Sequence, residues 1–504
     1  MNNSYGRITI YAPYSEQELT SLPKDKIEKV ILGIMPDIIS IHEMNKAETK
    51  RLWNYYLGMQ DIINKQKFTR EEINNKKVEN WAWALVDFKK NWLVGDPIQY
   101  TMAANTSNLE IEQLNKYMQY EDKDALDQEI MEDVYVCGRG FRFHKKDKKD
   151  DEDEAPFSLF NVKRDNCEVV YSSKMSKEQL FSVVETEMVE KIDKVDENGQ
   201  KVPDNYYSEY TVYLRNQCFT ISYRTGAPEI KDYKVLSLNE HLITEWYINR
   251  DRISIIEIGK DLFDGINQLE SDDFDDLDQF VNAILVFTNA DIDEDGLQKM
   301  KELGAIKIKS TENKKASVEE LKQRLNATDT QVFYNRLLTS LHQILGVPMA
   351  SDTGTLATGD TGRAKMTGQG FTSSGIRAKT DQTMIKRCDR KGLKVILKIC
   401  KETENSNIKN LKVSDVDIKF NIDKSENLLT KAEALNILVS MGMPLEYAVP
   451  VVNLCGDPTA VVNAWKKQKE EANNTNNNAN NVNQNVQQVI NKQNRILNKQ
   501  QQEK

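Results

Sequence analysis

The sequence predicts an α+β protein whose helices and strands occupy separate stretches of chain. Helical periodicity fills residues 25–97 and returns after residue 258, whereas residues 134–257 break into short alternating or β-branched runs between charged, Gly- or Pro-containing turns. The third observation is residues 261–280, DLFDGINQLESDDFDDLDQF, a helical stretch with eight carboxylates and no lysine or arginine. At 504 residues and 39% hydrophobic content the chain can bury a large core, and its length suggests several domains.

The elements follow in order. Residues 25–60 read as helix-rich, with Ile27, Val30, Ile31 and Ile34 on one face. NNKKVENWAWALVDFKKNWLVGDP reads as a longer amphipathic helix, with Asn74 and Asn75 as cap candidates and Gly95 and Pro97 closing it. VYVCGRGFRF, CEVVYSS, EYTVYL and ISIIEI read as strands, and KKDKKDDEDEA and DKVDENGQKVPD as solvated hairpin tips. Helix resumes over 261–286, and a short helix-then-strand block follows in ADIDEDGLQKMKELGAIKIK. Another helix covers about 329–345 and stops at Gly346 and Pro348. The Gly/Thr/Ser-rich segment 350–375 is too long for an ordinary connection, which marks a functional or moving loop. A long helix runs through KTDQTMIKRCDRKGLKVILKICKE, then a helical block spans 426–471 with breaks at Gly442/Pro444 and Gly456/Pro458. The Asn/Gln-rich tail from 472 to 504 has the composition of a disordered segment.

Charge and composition exclude several functions. A net charge of −10 and a pI near 5.3 argue against nucleic acid held by a basic surface, since neutralising phosphates needs clustered Lys and Arg. Six cysteines, Cys137, Cys167, Cys218, Cys388, Cys400 and Cys455, form no CxxC pair and read as reduced thiols of a cytosolic protein. Neither a signal peptide nor a membrane-length apolar run is expected. The Gly-rich segment holds no GxxxxGK[ST], and His42, His144, His241 and His342 stand alone without HExxH or GxSxG context, so no enzyme and no cofactor is expected.

On a helical wheel Asp261, Asp264, Asp272, Asp275, Asp276 and Asp278 share one arc, with Leu262, Phe263, Ile266, Leu269, Phe274, Leu277, Phe280 and Val281 opposite. Like charges at i,i+3 and i,i+4 weaken a helix by a few tenths of a kcal/mol per pair, about 0.2–0.5. The acidic arc is therefore either a plain solvated face or a surface that repels another polyanion. Downstream, Asp291, Asp293, Asp295, Gly296 and Glu302 match D-x-D-x-D-G-x5-E, the spacing of an EF-hand calcium loop. Against it, Gln298 takes the usual aliphatic position, Gly304 ends the exiting helix early, and no second loop occurs. An acidic calcium-binding structural or regulatory protein remains the competing reading.

The order of motifs resembles that of the phage portal proteins, in the branch found in siphophages of Gram-positive hosts. YYLGMQDI followed by NNKKVENWAWALVDFKKNWLVGDPIQY resembles the family's Tyr-rich Gly turn, Asn-rich helix start and closing φVGxPφxY. ISIIEIGKDLFDGINQLESDDFDDLDQFVNAILV resembles the strand entering the first stem helix. LLTSLHQILGVPM, GDTGRAKMTGQGF and the helix after them resemble the second stem helix, the tunnel loop and the helix behind it.

The resemblance implies a dodecameric ring around a channel for double-stranded DNA. Residues 1–260 would form most of an α/β wing, 261–286 and 328–346 the paired stem helices, and 287–327 a small α/β clip. Residues 347–404 would return through the tunnel loop to a long wing helix, and 405–471 would form a helical crown. The tail matches no family motif. Implied partners are a terminase motor, capsid and scaffolding proteins and head-completion adaptors, with no membrane, and the setting is the virion and, during assembly, the host cytoplasm. The acidic arc would face the lumen, since a lining without basic charge offers phosphates no sticky wells. Ser351, Asp352, Gly354, Gly359, Asp360 and Gly362 would belong to the tunnel loop.

Overall fold

The computed structural model describes residues 6–68, 71–103, 109–148, 154–191, 204–281, 284–288, 317–321, 327–349, 371–420, 428–452, 461–462 and 464–469. Most described strands lie together between residues 140 and 246, with helices dominating on either side. The chain opens with strand β1 (Ile10–Ala12), helix α1 (Glu16–Ser21) and the long helix α2 (Lys24–Tyr56), and after an irregular stretch continues with α3 (Trp81–Val94). Strand β2 (Gln99–Met102) and helices α4 (Leu109–Tyr120) and α5 (Lys123–Cys137) lead into the strand-rich middle. There β3 (Gly140–Lys146), β4 (Phe157–Val162), β5 (Cys167–Ser172), β6 (Gln179–Glu190), β7 (Asn205–Tyr213), β8 (Gln217–Ser222), β9 (Glu229–Val235) and β10 (Ile243–Trp246) follow one another.

A six-stranded sheet runs β1-β5-β6-β7-β8-β9, all antiparallel except the β1–β5 pair, and a three-stranded sheet runs β10-β3-β4. The pairs β3/β4 and β6/β7 are antiparallel, as the expected hairpins require, although both tips lie outside the described residues. The first half of α2 lies on the large sheet through Ile27, Ile31, Met35 and Ile38, which are 0–3% exposed and spaced to share one face. Each such side chain contributes about 1.5–3 kcal/mol on burial. Val30 and Ile34, expected on the same face, flank it half-buried.

After β10 come α6 (Ile255–Val281), the paired strands β11 (Ile284–Thr288) and β12 (Ser317–Leu321), α7 (Ala327–Leu345) and α8 (Phe371–Glu402). Strand β13 (Val416–Lys419) pairs with β2, and α9 (Leu428–Ser440) and α10 (Leu445–Val452) follow. Ile408, Leu411, Val416 and Ile418 are buried in the main core with α3, α5 and α8, so the stretch expected to open a helical unit at 405 first returns to the body. The expected break at Gly442 is present, at φ +92°.

Several boundaries differ from the sequence expectations. VYVC is the last turn of α5, ended by Gly138 in the left-handed region, and only GFRF is strand. ISIIEI is the first turn of α6: the Ser254 hydroxyl accepts from Ile256 and Glu257 N–H, and the Glu257 carboxylate accepts from Ser254 N–H at 2.7 Å. That S-x-x-E box outweighs the β-branched run. The stem-like helix therefore begins at Ile255 and stops at Val281, with a strand where 284–286 was expected to continue it. Asn74 and Asn75 cap nothing; α3 starts at Trp81, capped by Asn80, whose side chain accepts from Trp83 N–H. Helix α8 begins at Phe371, inside the segment expected to be loop.

Candidate functional site

Helices α6 and α7 pack side by side in opposite directions, with Gly259 of α6 against Leu341 and Gly265 against Leu337. Phe263 and Ile266 from α6 and Leu338, Leu341 and Leu345 from α7 are buried between the pair and the body. The α6 N-terminus is held by its capping box and by Glu257, which also accepts from Gly6 N–H and pairs with the buried Arg7 guanidinium. The loop before it is gripped by two glycines at positive φ. A Cβ at Gly6 would lie 2.1 Å from Asp251 O, and one at Gly138 only 1.9 Å from Arg252 O.

The six aspartates of the acidic arc do not share one environment. Asp261 and Asp276 are exposed and meet no basic side chain among the described residues. Asp272 is exposed and 2.8 Å from Lys65. Asp264 is half-buried, accepting from the Tyr55 hydroxyl at 2.7 Å and from Lys260 at 2.8 Å. Asp278 accepts from the Asn75 side chain at 2.7 Å.

Asp275 is 2% exposed and takes the Asn75 N–H at 2.6 Å, Lys65 at 3.0 Å and Lys67 at 3.2 Å. Burial raises its pKa, but the Asn75 amide and the two lysines outweigh that and hold it at about 2. The expectation of a uniformly bare acidic face thus fails: Lys65, Lys67 and Asn75, remote in sequence, reach Asp272, Asp275 and Asp278, while Tyr55 and the neighbouring Lys260 cover Asp264. Conversely, the apolar arc is partly uncovered in one chain: Phe274 and Leu277 on α6 and Val332, Phe333 and Ile344 on α7 are exposed.

The covering comes from residues 60–80. Lys260 reaches Asp61, Gln60 accepts from Asn267, and the irregular segment 74–80 runs along α6. Its Glu79 also reaches α7, accepting from the Tyr334 hydroxyl at 2.8 Å, and Trp81 meets the edge of His342 at 5.7 Å. This segment thus touches both helices of the pair. The buried acceptors Asn267 and Ser271 were missed from sequence, although with Asp275 they form an i,i+4,i+8 polar stripe that an all-apolar packing face would lack.

Where α7 ends, Gly346 sits at φ +68°, and a Cβ there would lie 2.1 Å from Arg377 Cδ. Arg377 donates to the Ile344 and Gln343 carbonyls, Ser374 Oγ to Gly346 O at 2.7 Å, and Lys89 to Leu345 O. Side chains of α8 and α3 thereby satisfy the orphan carbonyls of the helix end. Ser351, Asp352, Gly354, Gly359, Asp360 and Gly362 lie outside the described residues, as do Asp291, Asp293, Asp295 and Glu302. Nothing described supports the calcium reading; among the described residues no cluster could hold a metal ion.

The four histidines have structural partners. His42 is wedged between Glu168 and Glu185, His144 Nδ1 donates to Leu242 O, His241 meets Glu16, and His342 meets Val347 O. The five described cysteines are buried and form no disulfide among the described residues. No described helix is long and apolar enough to cross a membrane.

An antiparallel helix pair with a two-sided surface is thus set on an α/β body. The family model for phage portal proteins of the SPP1 Gp6-like type matches residues 37–475, and the chain belongs to that family. It is a portal protein, a connector of the phage head, and such proteins are structural components rather than enzymes. A solved structure described as the neck of an empty GTA particle computed with C6 symmetry is similar at a TM-score of 0.38 and 10% identity, covering 74% of this chain and 90% of that chain. No curated protein sequence matches.

Proposed function

We propose that twelve copies of the chain form a ring at one capsid vertex and that DNA enters and leaves through its centre. Residues 1–254 act as most of the wing, α6 and α7 as the stem, 287–327 as the clip, 347–404 as tunnel loop and wing helix, and the helices after 428 as the crown. The observation that carries this reading is the surface of the α6/α7 pair. One arc of α6, about 80° wide, bears Asp261, Gln268, Asp272 and Asp276, while Phe274, Leu277, Val332 and Phe333 are exposed.

In a ring the apolar positions meet neighbouring subunits and the acidic arc faces the lumen. Helix α6 has 27 residues and so spans ~40 Å, slightly more than one ~35 Å turn of duplex. A lining of this sign repels phosphates and creates no counterion-releasing contacts that would arrest passage. Asp261, Asp272 and Asp276 are the lumen candidates of choice; Asp264, Asp275 and Asp278 serve the helix's attachment. The tunnel loop begins and returns where Gly346, Ser374 and Arg377 meet.

The clip docks a terminase motor, later replaced by head-completion adaptors, and the wing meets capsid and scaffolding subunits. The particle forms in the host cytoplasm and the ring stays in the virion. Replacing Asp261, Asp272 and Asp276 together by Lys tests the reading. Rings of normal mass that no longer package or release DNA are expected, and normal packaging by such rings would remove the lumen assignment.

A further inference from the structure

Asn267, Ser271 and Asp275 stand one helical turn apart on α6 and are 0%, 0% and 2% exposed, where a packing helix ordinarily puts apolar side chains. Each accepts a backbone N–H from the same segment: Glu79 to Asn267 Oδ1 at 2.8 Å, Lys77 to Ser271 Oγ at 3.0 Å and Asn75 to Asp275 Oδ1 at 2.6 Å. The segment steps by two as the helix steps by four, in the opposite direction. Two extended residues advance ~6.6 Å and four helical residues ~6.0 Å, so the rungs match closely enough for three and would drift apart in a longer ladder.

The acceptors are themselves held. Ser271 Oγ donates to Asn267 O at 2.7 Å, Asn267 Nδ2 donates to Gln60, and Lys65 and Lys67 grip Asp275. At the far end Asn80 turns the chain into α3. One residue along, Gln268, Asp272 and Asp276 form a second stripe with the same spacing and equally capable acceptors, and all three are exposed. Acceptor chemistry alone would let either stripe face the segment. The small buried Ser271 and the doubly bonded Asn267 favour the first.

We propose that Asn267, Ser271 and Asp275 are positioning residues: by binding the backbone of 75–79 they fix the rotation of α6 about its axis and so decide which carboxylates face the channel. This rests on the channel reading above. It also gives NNKKVEN, part of the segment that resembles the portal family, a physical task in place of helix capping.

The test uses the full chain with Cys455→Ser and a single added cysteine, either Asp276→Cys or Phe274→Cys, on opposite flanks of the ladder. In the Ser271→Ala background, rates of modification by a charged maleimide should change in opposite senses at the two sites, by at least about fivefold, the factor for one lost hydrogen bond. Deuterium uptake in 74–80 should rise, and Ser271→Thr, which keeps the hydroxyl, should restore both. Raised uptake with unchanged labelling would overturn the proposal, leaving the ladder to hold only its own segment. Asp272→Lys/Asp276→Lys keeps the ladder, puts basic charge on the proposed lining and separates the two ideas. If that pair leaves packaging normal while Ser271→Ala still shifts the labelling, the lumen reading falls and the control of helix rotation stands.

Discussion

The backbone N–H of Asn75 donates to Oδ1 of Asp275 at 2.6 Å across 200 positions of sequence. With Lys65 and Lys67 on the other carboxylate oxygen, this bond turns an aspartate of the acidic helix into an internal fastener. Its pKa, about 2, lies below the ordinary 3.8. Such a depressed group contributes its stability above the unfolded-state value and loses it as pH falls through 4 toward 2, on the order of 2 kcal/mol in all. Asp275→Ala should therefore lower the urea midpoint at pH 7 by an amount corresponding to about 2–3 kcal/mol. The gap between variant and parent should narrow steadily below about pH 4, and a gap independent of pH would contradict the fastener.

His42 carries the opposite pH signature. Burial would lower its pKa, but hydrogen bonds to Glu168 at 3.3 Å and Glu185 at 3.1 Å push it up to about 9. Arg139 on Glu168 and Lys46 on Glu185 complete the cluster between α2 and the large sheet. A raised histidine contributes below its unfolded value of 6.5 and loses the contribution as pH rises through 9. His42→Gln should cost about 3 kcal/mol at pH 6 and little near pH 10, read from denaturant midpoints at the two pH values.

Two glycines with nearly the same backbone angle separate strain from collision. Gly138 (φ +85°) would place a Cβ 1.9 Å from Arg252 O, whereas Gly226 (φ +82°) has nothing within 4 Å. Gly226→Ala should cost about 1–2 kcal/mol, the left-handed penalty alone. Gly138→Ala adds a clash with backbone at the entry to α6, and should cost at least about 3 kcal/mol. Thermal unfolding of the two variants side by side checks the ordering.

These cases show what periodicity could and could not reveal. The division into helical ends and a strand-rich middle was legible because it depends on local alternation and turn residues. So was the two-sided character of 261–280, with the exposed Asp261, Asp272 and Asp276 on one side and the buried Phe263 and Ile266 on the other. The environment of Asp275 was not legible, because Lys65, Lys67 and Asn75 reach it through tertiary structure. The segment 74–80 has no period of its own, so its asparagines read as caps. The start of α6 was available in sequence as Ser254-x-x-Glu257, but the β-branched residues between them point to strand unless the box is given priority.

Glu257 supports the last prediction. Besides closing that box it pairs with Arg7, which is 4% exposed and has Nε and Nη1 without hydrogen-bond partners among the described residues. The next carboxylate, Glu48, is 3.9 Å away. Glu257→Gln leaves a buried guanidinium nearly uncompensated, which costs about 3–5 kcal/mol. Arg7→Met removes the charge that needs compensation and should cost less than Glu257→Gln. In the double variant the second change should cost less than it does alone, with a coupling of at least about 1 kcal/mol in a double-mutant cycle on urea midpoints. Additive losses would mean that Glu257 acts only as a helix cap and that the first residues of the chain do not hold the base of α6.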